Sequence, residues 1–136
     1  MKSGYVLDAN AILNLVDAGP GAPRVKGILQ DALNGRSLVA VSVLNWGEAF
    51  YYVWQRRGEE KARNTMASLS RLPLDLVPVD LSQALMAGQI EAVHKIPYVD
   101  CVAAALAEAR QATLVTSDRD FEKLGRRVQV LWIAHS

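Results

Sequence analysis

Four acidic residues occupy positions that suit chemistry better than structure: Asp8, Glu48, Asp100 and Asp118. Asp8 directly follows one short apolar run, and Asp118 follows another after a single serine. Glu48 is the only charged residue between residues 37 and 55. Because removing a carboxylate from water costs free energy, an acid in apolar surroundings is usually paired or bound to a cation. Carboxylate oxygens are the ligands that hard divalent cations prefer, so the four acids suggest a shared metal site.

The acids near the two apolar runs also have structural explanations. Asp8 could cap the helix that follows it, and Asn10 could serve the same role. Residues 116–120 could form a loop and a helix start. Within them, Asp120 suits a first-turn position, where the helix dipole favours an acid, better than Asp118 does. Taken singly, Asp8 is explained better by capping than by catalysis.

Glu48 and Asp100 are harder to explain by local structure alone. No lysine or arginine lies within one helical turn of Glu48, and the segment around it is largely apolar. Asp100 could be a first-turn acid. However, Ala103, Ala104 and Ala107 continue its helix face, and small side chains allow another backbone to come close. That packing would carry Asp100 into the middle of the molecule.

Composition is consistent with one globular domain over residues 1–136. The chain is 51% hydrophobic and 21% charged, which is typical of an ordered protein with a real core. Its net charge of +1 argues against a wholly basic nucleic-acid binder but allows a locally basic surface. The single cysteine, Cys101, fits a reducing cytoplasm. Neither a secretory signal nor an apolar stretch of membrane-spanning length is expected.

Short apolar runs alternate with helix-length segments along the chain. The predicted strands cover residues 5–7, 38–41, 76–79, 113–116 and 128–132. The predicted helices cover residues 10–16, 23–34, 43–57, 59–71, 82–94, 99–110 and 121–124. Apolar strands separated by helices predict a parallel sheet covered on both faces, which is a three-layer α/β/α sandwich. Pro78 favours a sheet edge for the third strand.

The strand ends indicate where a site would form. Ligands bind beyond the carboxyl ends of parallel strands, and Asp8 and Asp118 both lie just past such ends. The two acids would be adjacent if the first and fourth strands are neighbours. Spacing alone leaves that adjacency open.

The order and spacing of the acidic motifs resemble those of a known family. The matching segments are residues 6–10 (VLDAN), 42–48 (SVLNWGE), 96–101 (IPYVDC) and 114–121 (LVTSDRDF). The chain resembles PIN-domain ribonucleases, specifically the VapC toxins of VapBC toxin–antitoxin pairs. The family often has serine or threonine shortly after the first acid, where this chain has Asn10.

The resemblance implies a five-stranded parallel sheet in the order 3-2-1-4-5 and a metal-dependent endoribonuclease. Mg²⁺ or Mn²⁺ would be held by Asp8, Asp100 and Asp118, and Glu48 would orient or deprotonate the attacking water. The implied partners are an RNA substrate, a cognate antitoxin and a second copy of the chain in a homodimer. The supporting residues expected around the site are Asn10, Thr116, Ser117 and Asp120.

Two other functions remain open at this point. A receiver-like phospho-signalling domain is also α/β with an acidic cluster, and Asp80 follows the third strand, but no lysine follows the fifth. A PIN-like fold could instead serve as an interaction module without catalysis. Arg56 and Arg57 suit either a helix end or phosphate contacts. The aromatic side chains from Trp46 to Trp54 suit either a core or a protein interface.

Overall fold

A computed structural model describes residues 3–134, which form five strands, six α-helices and one 3-10 helix. The strands are β1 (Ser3–Leu7), β2 (Ser37–Ser42), β3 (Asp75–Val77), β4 (Thr113–Thr116) and β5 (Val130–Trp132). The helices are α1 (Ala9–Val16), α2 (Ala22–Leu33), α3 (Val43–Arg57), α4 (Glu59–Leu69), α5 (Leu81–His94) and α6 (Tyr98–Arg110). The 3-10 helix covers Arg119–Leu124. None of the helices in this range is long and apolar enough to cross a membrane.

All four strand pairings are parallel, and the strand order is β3-β2-β1-β4-β5. The first and fourth strands are therefore neighbours, with Leu7 paired to Val115. The chain changes direction across the sheet at this pair, which is where α/β sheets bind ligands. The order also excludes the receiver-like fold, whose sheet runs 2-1-3-4-5. Asp80 is instead an exposed residue that caps α5.

Alternate strand residues point to opposite faces, and each face is covered by its own helices. On one face, Val6 and Leu114 pack against α5 and α6. On the other, Leu7 and Val115 pack against side chains of α1 to α4. The result is the predicted three-layer sandwich. Both cores exclude water from the sheet, so the strand ends are the natural place for polar side chains to meet.

The central helix α6 is buried over most of its length. Every residue from position 101 to 107 is at most 1% exposed. Four of these are alanines, and their small side chains let α6 lie against α5, α3 and the sheet at once. Asp100 stands at the start of this helix, half-buried at the edge of the molecule's interior. The alanine row thus carries α6 into the interior as expected, but Asp100 itself stays half-buried instead of reaching the middle of the molecule.

Two strands are shorter at one end than the sequence predicts, while β1 and β2 extend one or two residues beyond their predicted ends. The third strand lies at the sheet edge as predicted, but it ends at Val77, so Pro78 lies outside it. Its partner strand ends at Ser42, where α3 begins, and no ladder remains for Pro78 to join. The fifth strand begins at Val130 instead of residue 128. Val128 precedes the ladder and is buried against the α5–α6 side of the core.

Local signals account for the ends of α3. Ser42 caps its start by accepting a hydrogen bond from the Leu44 amide at 3.3 Å. Gly58 ends it with a φ of 87°, a backbone conformation that glycine adopts without the steric penalty of a side chain. The chain then enters α4 directly, so α3 and α4 form the predicted helical hairpin.

Candidate metal-binding active site

A cleft of about 510 Å³ opens at the carboxyl ends of β1 and β4. Five of the side chains that line it are carboxylic acids, contributed by five separate positions along the chain. These acids are Asp8, Glu48, Asp100, Asp118 and Asp120. All four acids of the sequence prediction therefore lie in one cleft, together with the supporting residue Asp120.

Asp8 both caps a helix and forms part of the cleft wall. Its Oδ1 accepts a hydrogen bond from the Ala11 amide at 2.8 Å, which is the geometry of a helix cap. Its Oδ2 accepts one from the Thr116 hydroxyl at 2.6 Å. The residue is only 2% exposed. The structural and chemical explanations of Asp8 are thus compatible, because capping fixes its carboxylate in place.

Thr116 connects the ends of β1 and β4. While its hydroxyl donates to Asp8, the same oxygen accepts a hydrogen bond from the Asp118 amide at 2.9 Å. Asp118 in turn accepts from the Asp120 amide at 2.9 Å, starting the 3-10 helix. One buried hydroxyl therefore sets the positions of two cleft acids that are far apart in sequence.

Asp100, Asp118 and Asp120 form the tightest group of carboxylates. One oxygen from each lies within 4.8 Å of the others, a spacing at which three acids can share one cation. The sequence analysis expected Asp8 in this trio and assigned Asp120 a supporting role. In the structure, Asp8 lies in the same cleft but outside this closest set. The signal for Asp120 was present in the sequence, since an acid two residues after Asp118 falls on the same turn.

Burial and mutual repulsion raise the pKa of three of these acids. Desolvation raises the pKa of Asp8 from 3.8 to about 7, although its hydrogen bonds to Thr116 and Ala11 oppose the shift. Desolvation, then the charges of Asp118, Glu48 and Asp120, raise the pKa of Asp100 to about 7. The pKa of Glu48 is also raised, by desolvation and by Asp118. A bound cation would relieve this repulsion, so the donor set fits a divalent metal.

Asn10 supports the loop instead of contacting an acid. Its Oδ1 accepts hydrogen bonds from the Ser117 amide at 2.8 Å and the Ser117 hydroxyl at 2.7 Å. Both residues belong to the predicted supporting set. Asn10 thereby ties the start of α1 to the loop between Thr116 and Asp118.

Glu48 reaches the cleft from α3, and a buried asparagine one turn earlier joins that helix to α6. Asn45 is fully buried, and its Nδ2 donates to the Val99 carbonyl at 3.4 Å. Its Oδ1 has no hydrogen-bond partner among residues 3–134. Val99 precedes Asp100, so Asn45 links the helix of Glu48 to the helix of Asp100. Sequence analysis missed this residue, whose signal was a polar side chain within an apolar helix.

Sequence analysis also left two further cleft residues without a committed role. Tyr52 and Arg56 line the cleft beside Glu48. They follow Glu48 at intervals of four residues on α3, which places all three on one line along the helix. That spacing was visible in the sequence.

A comparison with known protein families identifies the class to which this fold belongs. A family model for the PIN domain matches residues 5–127, which is most of the chain. The chain belongs to the PIN domain family. A comparison with curated proteins gave no match.

Solved structures with the same fold include several toxin–antitoxin proteins. VapBC2 from Rickettsia felis, bound to a DNA fragment from its promoter, is 18% identical, with a TM-score of 0.78 over 96% of this chain and 99% of that one. Mycobacterium tuberculosis VapC20, a sarcin–ricin loop cleaving toxin, is 18% identical, with a TM-score of 0.72 over 89% and 95%. FitAcB from Neisseria gonorrhoeae is 25% identical, with a TM-score of 0.70 over 97% and 99%. The VapBC and VapC resemblance inferred from the motifs is confirmed at the level of the fold.

Proposed function

We propose that this protein is a metal-dependent endoribonuclease that acts as the toxin of a type II toxin–antitoxin pair. The observation that carries the proposal is the meeting of five acids in one cleft of a PIN fold, three of them with oxygens within 4.8 Å of one another. Such crowding is costly without a cation, which argues against an interaction module that has lost catalysis. The toxin that cleaves the sarcin–ricin loop has the same fold and supports RNA as the substrate class.

The proposed ligands of Mg²⁺ or Mn²⁺ are Asp8, Asp100 and Asp118, with Asp120 close enough to hold the metal or a water bound to it. When bound, such a metal would polarise a scissile phosphate and lower the pKa of a water beside it. Glu48 orients the attacking water and accepts its proton, a role that its raised pKa suits. Hydrolysis of this kind leaves a 5′-phosphate and a 3′-hydroxyl.

The remaining polar residues would act by holding these acids in position. Thr116 fixes Asp8 and the backbone of Asp118 through its hydroxyl. Asn10 and Ser117 fix the intervening loop. Rigid support matters because a metal site tolerates only small errors in ligand position. The supporting residues therefore contribute to activity without touching the substrate.

The proposed partners are RNA, an antitoxin and a second copy of the chain. VapBC complexes have this fold, and an antitoxin segment that covered the acidic cleft would block access by RNA. A basic side chain of that segment would find complementary charge among the carboxylates. The homodimer and the cytoplasmic location stay predictions from the sequence.

The proposal is tested by cleavage of cellular RNA with and without Mn²⁺, using wild-type protein and Asp100→Asn. We expect wild-type cleavage that stops on chelation, and a loss of at least about a hundredfold in Asp100→Asn because it removes a charged ligand. Calorimetry should show weaker Mn²⁺ binding by the variant. Metal-independent cleavage, or an Asp100→Asn protein with wild-type activity, would contradict the proposed site.

A further inference from the structure

The cleft is also lined by residues that are not acids. Besides the acids, Tyr52, Arg56 and the apolar residue Leu13 line it. Glu48, Tyr52 and Arg56 rise along α3 in steps of about 6 Å, since a helix rises ~1.5 Å per residue. Arg56 therefore stands about 12 Å along the helix from the proposed water-activating residue. The cleft volume of about 510 Å³ is large enough to hold more than a metal ion.

Arg56 is held in place by a neighbouring carboxylate that forms ion pairs with two arginines. Asp17, at the end of α1, pairs with Arg56 through its Oδ2 and with Arg57 through its Oδ1, the latter at 2.8 Å. Two guanidinium groups against one carboxylate leave a surplus positive charge. Each guanidinium has five N–H donors, so most remain free for another anion. Both arginine side chains are about half exposed, and Asp17 is less so.

A polyanionic substrate needs such a positive group in this cleft. Five acids line the proposed metal site, and they repel a phosphate chain except where a metal offsets them. Arg56 is the only basic residue among the residues that line the cleft within the described range. Tyr52 is 39% exposed, which leaves its ring available to a flat ligand. Aromatic rings beside basic groups are the usual means of binding unpaired nucleotides.

We propose that Tyr52 and Arg56 form a nucleotide-binding subsite for single-stranded RNA next to the scissile phosphate. The ring of Tyr52 stacks on a base, Arg56 contacts the neighbouring phosphate, and Asp17 holds the arginine in a fixed direction. This inference rests on the proposed ribonuclease function and adds the two side chains that hold the RNA beside the proposed metal site. A base that stacks on Tyr52 must be unpaired, so the subsite selects RNA in loops or single strands over duplex RNA.

The experiment measures RNA binding without cleavage, in a Glu48→Gln parent that keeps the proposed metal ligands. The probe is a fluorescein-labelled, mixed-sequence single-stranded oligoribonucleotide, and its fluorescence anisotropy is recorded with Mn²⁺ over a range of salt concentrations. Arg56→Gln, Tyr52→Leu and Tyr52→Phe are each added to the parent. Arg36→Gln is the matched control, because it removes the same charge from a surface arginine just before β2, at the amino end of the strands and opposite to the cleft.

The two substitutions should differ in their salt dependence. Losing one phosphate contact lowers the slope of log affinity against log salt by about 0.7 for a single strand, so Arg56→Gln should show this change and Arg36→Gln should not. Tyr52→Leu should weaken binding about tenfold with an unchanged slope, and Tyr52→Phe should bind like the parent because it keeps the ring. Duplex RNA of the same length should respond to neither Tyr52 variant. Arg56→Lys, which keeps the charge, should retain the parent slope and guards against a folding defect.

The outcomes separate this inference from the proposed function. If wild-type protein cleaves RNA but Arg56→Gln matches Arg36→Gln, or Tyr52→Leu matches the parent, the subsite is overturned and the ribonuclease stands. Unchanged RNA binding in all variants would also overturn the subsite, and it would point to a protein partner as the ligand of Tyr52 and Arg56. If the parent binds no RNA and the wild type cleaves none, both proposals fail.

Discussion

At the scale of single residues, two of the proposed metal ligands are also helix caps. Asp8 caps α1 and Asp118 caps the 3-10 helix, each through one carboxylate oxygen. A cap oxygen is held by a backbone amide, so its carboxylate has little freedom. The second oxygen of each acid then faces fixed surroundings, which for Asp8 include the Thr116 hydroxyl. The cap geometry is therefore compatible with the proposed metal-binding role, and substitution has to separate the two.

Replacing Asp8 by Asn separates the two roles. Asparagine caps a helix about as well as aspartate, so the metal-free protein should be as stable as the wild type or more stable by on the order of 1 kcal/mol, because a buried charge is removed. RNA cleavage and growth arrest on expression should be lost. Thermal melting in EDTA and a cleavage assay measure the two effects.

The matched control for Asp8→Asn is Asp80→Asn. Asp80 caps α5 with the same geometry, accepting from the Gln83 amide at 2.8 Å, but it is exposed and outside the cleft. Its substitution should leave cleavage unchanged. An Asp8→Asn protein that cleaves RNA at the wild-type rate would show that Asp8 is only a cap.

At the scale of elements, α3 presents three different faces. Its buried face carries Asn45, Ala49 and Val53. Its cleft face carries Glu48, Tyr52 and Arg56. Its third face is apolar and exposed, and it consists of Leu44, Gly47, Tyr51 and Trp54.

The sequence left the aromatic residues of α3 as either core or interface, and the structure places Tyr51, at 56% exposure, on the surface. An exposed apolar stripe at helical spacing is typical of a helix-packing interface.

The predicted homodimer is tested on this face. We expect sedimentation of the wild type at tens of micromolar to show a dimer, and Tyr51→Glu to shift it to a monomer because a charge is buried at the contact. Leu85→Glu, on the exposed face of α5, is the control and should remain dimeric. A wild-type monomer at these concentrations would contradict the dimer. Dissociation by Leu85→Glu alone would move the contact to α5.

At the scale of the whole molecule, the fold gathers carboxylates from distant parts of the chain at the carboxyl ends of the strands. Burial, and then the negative charges of the other acids in the cleft, raise the pKa of Asp8 and of Asp100. Between about pH 4 and about pH 7 the folded protein therefore binds more protons than the unfolded chain. Stability without metal should fall as the pH rises through this range, since the folded state resists ionising these groups.

Metal should reverse this trend. Deprotonated carboxylates bind a cation, so the stabilisation by Mn²⁺ should grow over the same pH range. At a hundred times Kd it reaches about 2.7 kcal/mol. Melting temperatures against pH, with EDTA or with Mn²⁺, measure both effects. The double variant Asp8→Asn/Asp100→Asn should lose most of the pH dependence, and a wild type whose melting is indifferent to metal would contradict the site.

Much of the fold and of the site could be predicted from the sequence because the relevant signals are local. Apolar runs of strand length, the cap at Ser42 and the stop at Gly58 depend only on a few neighbouring residues. The four acids were identified from their positions, the family resemblance added the strand order, and the fold agrees with that order. The boundaries of β3 and β5 could not be predicted from local signals, because the extent of an edge strand depends on how far the neighbouring strand can pair with it.

What the sequence by itself determined was which elements form and which acids lie at their ends. Only the tertiary structure decided which of these side chains meet. The hydrogen bond between Thr116 and Asp8 joins residues 108 positions apart, and it exists because β1 and β4 are neighbours. The packing of α6 and α3 likewise brings Asp100 beside Asp118 and Glu48 into the cleft. Such contacts depend on distances across the fold, which no local pattern of residues specifies.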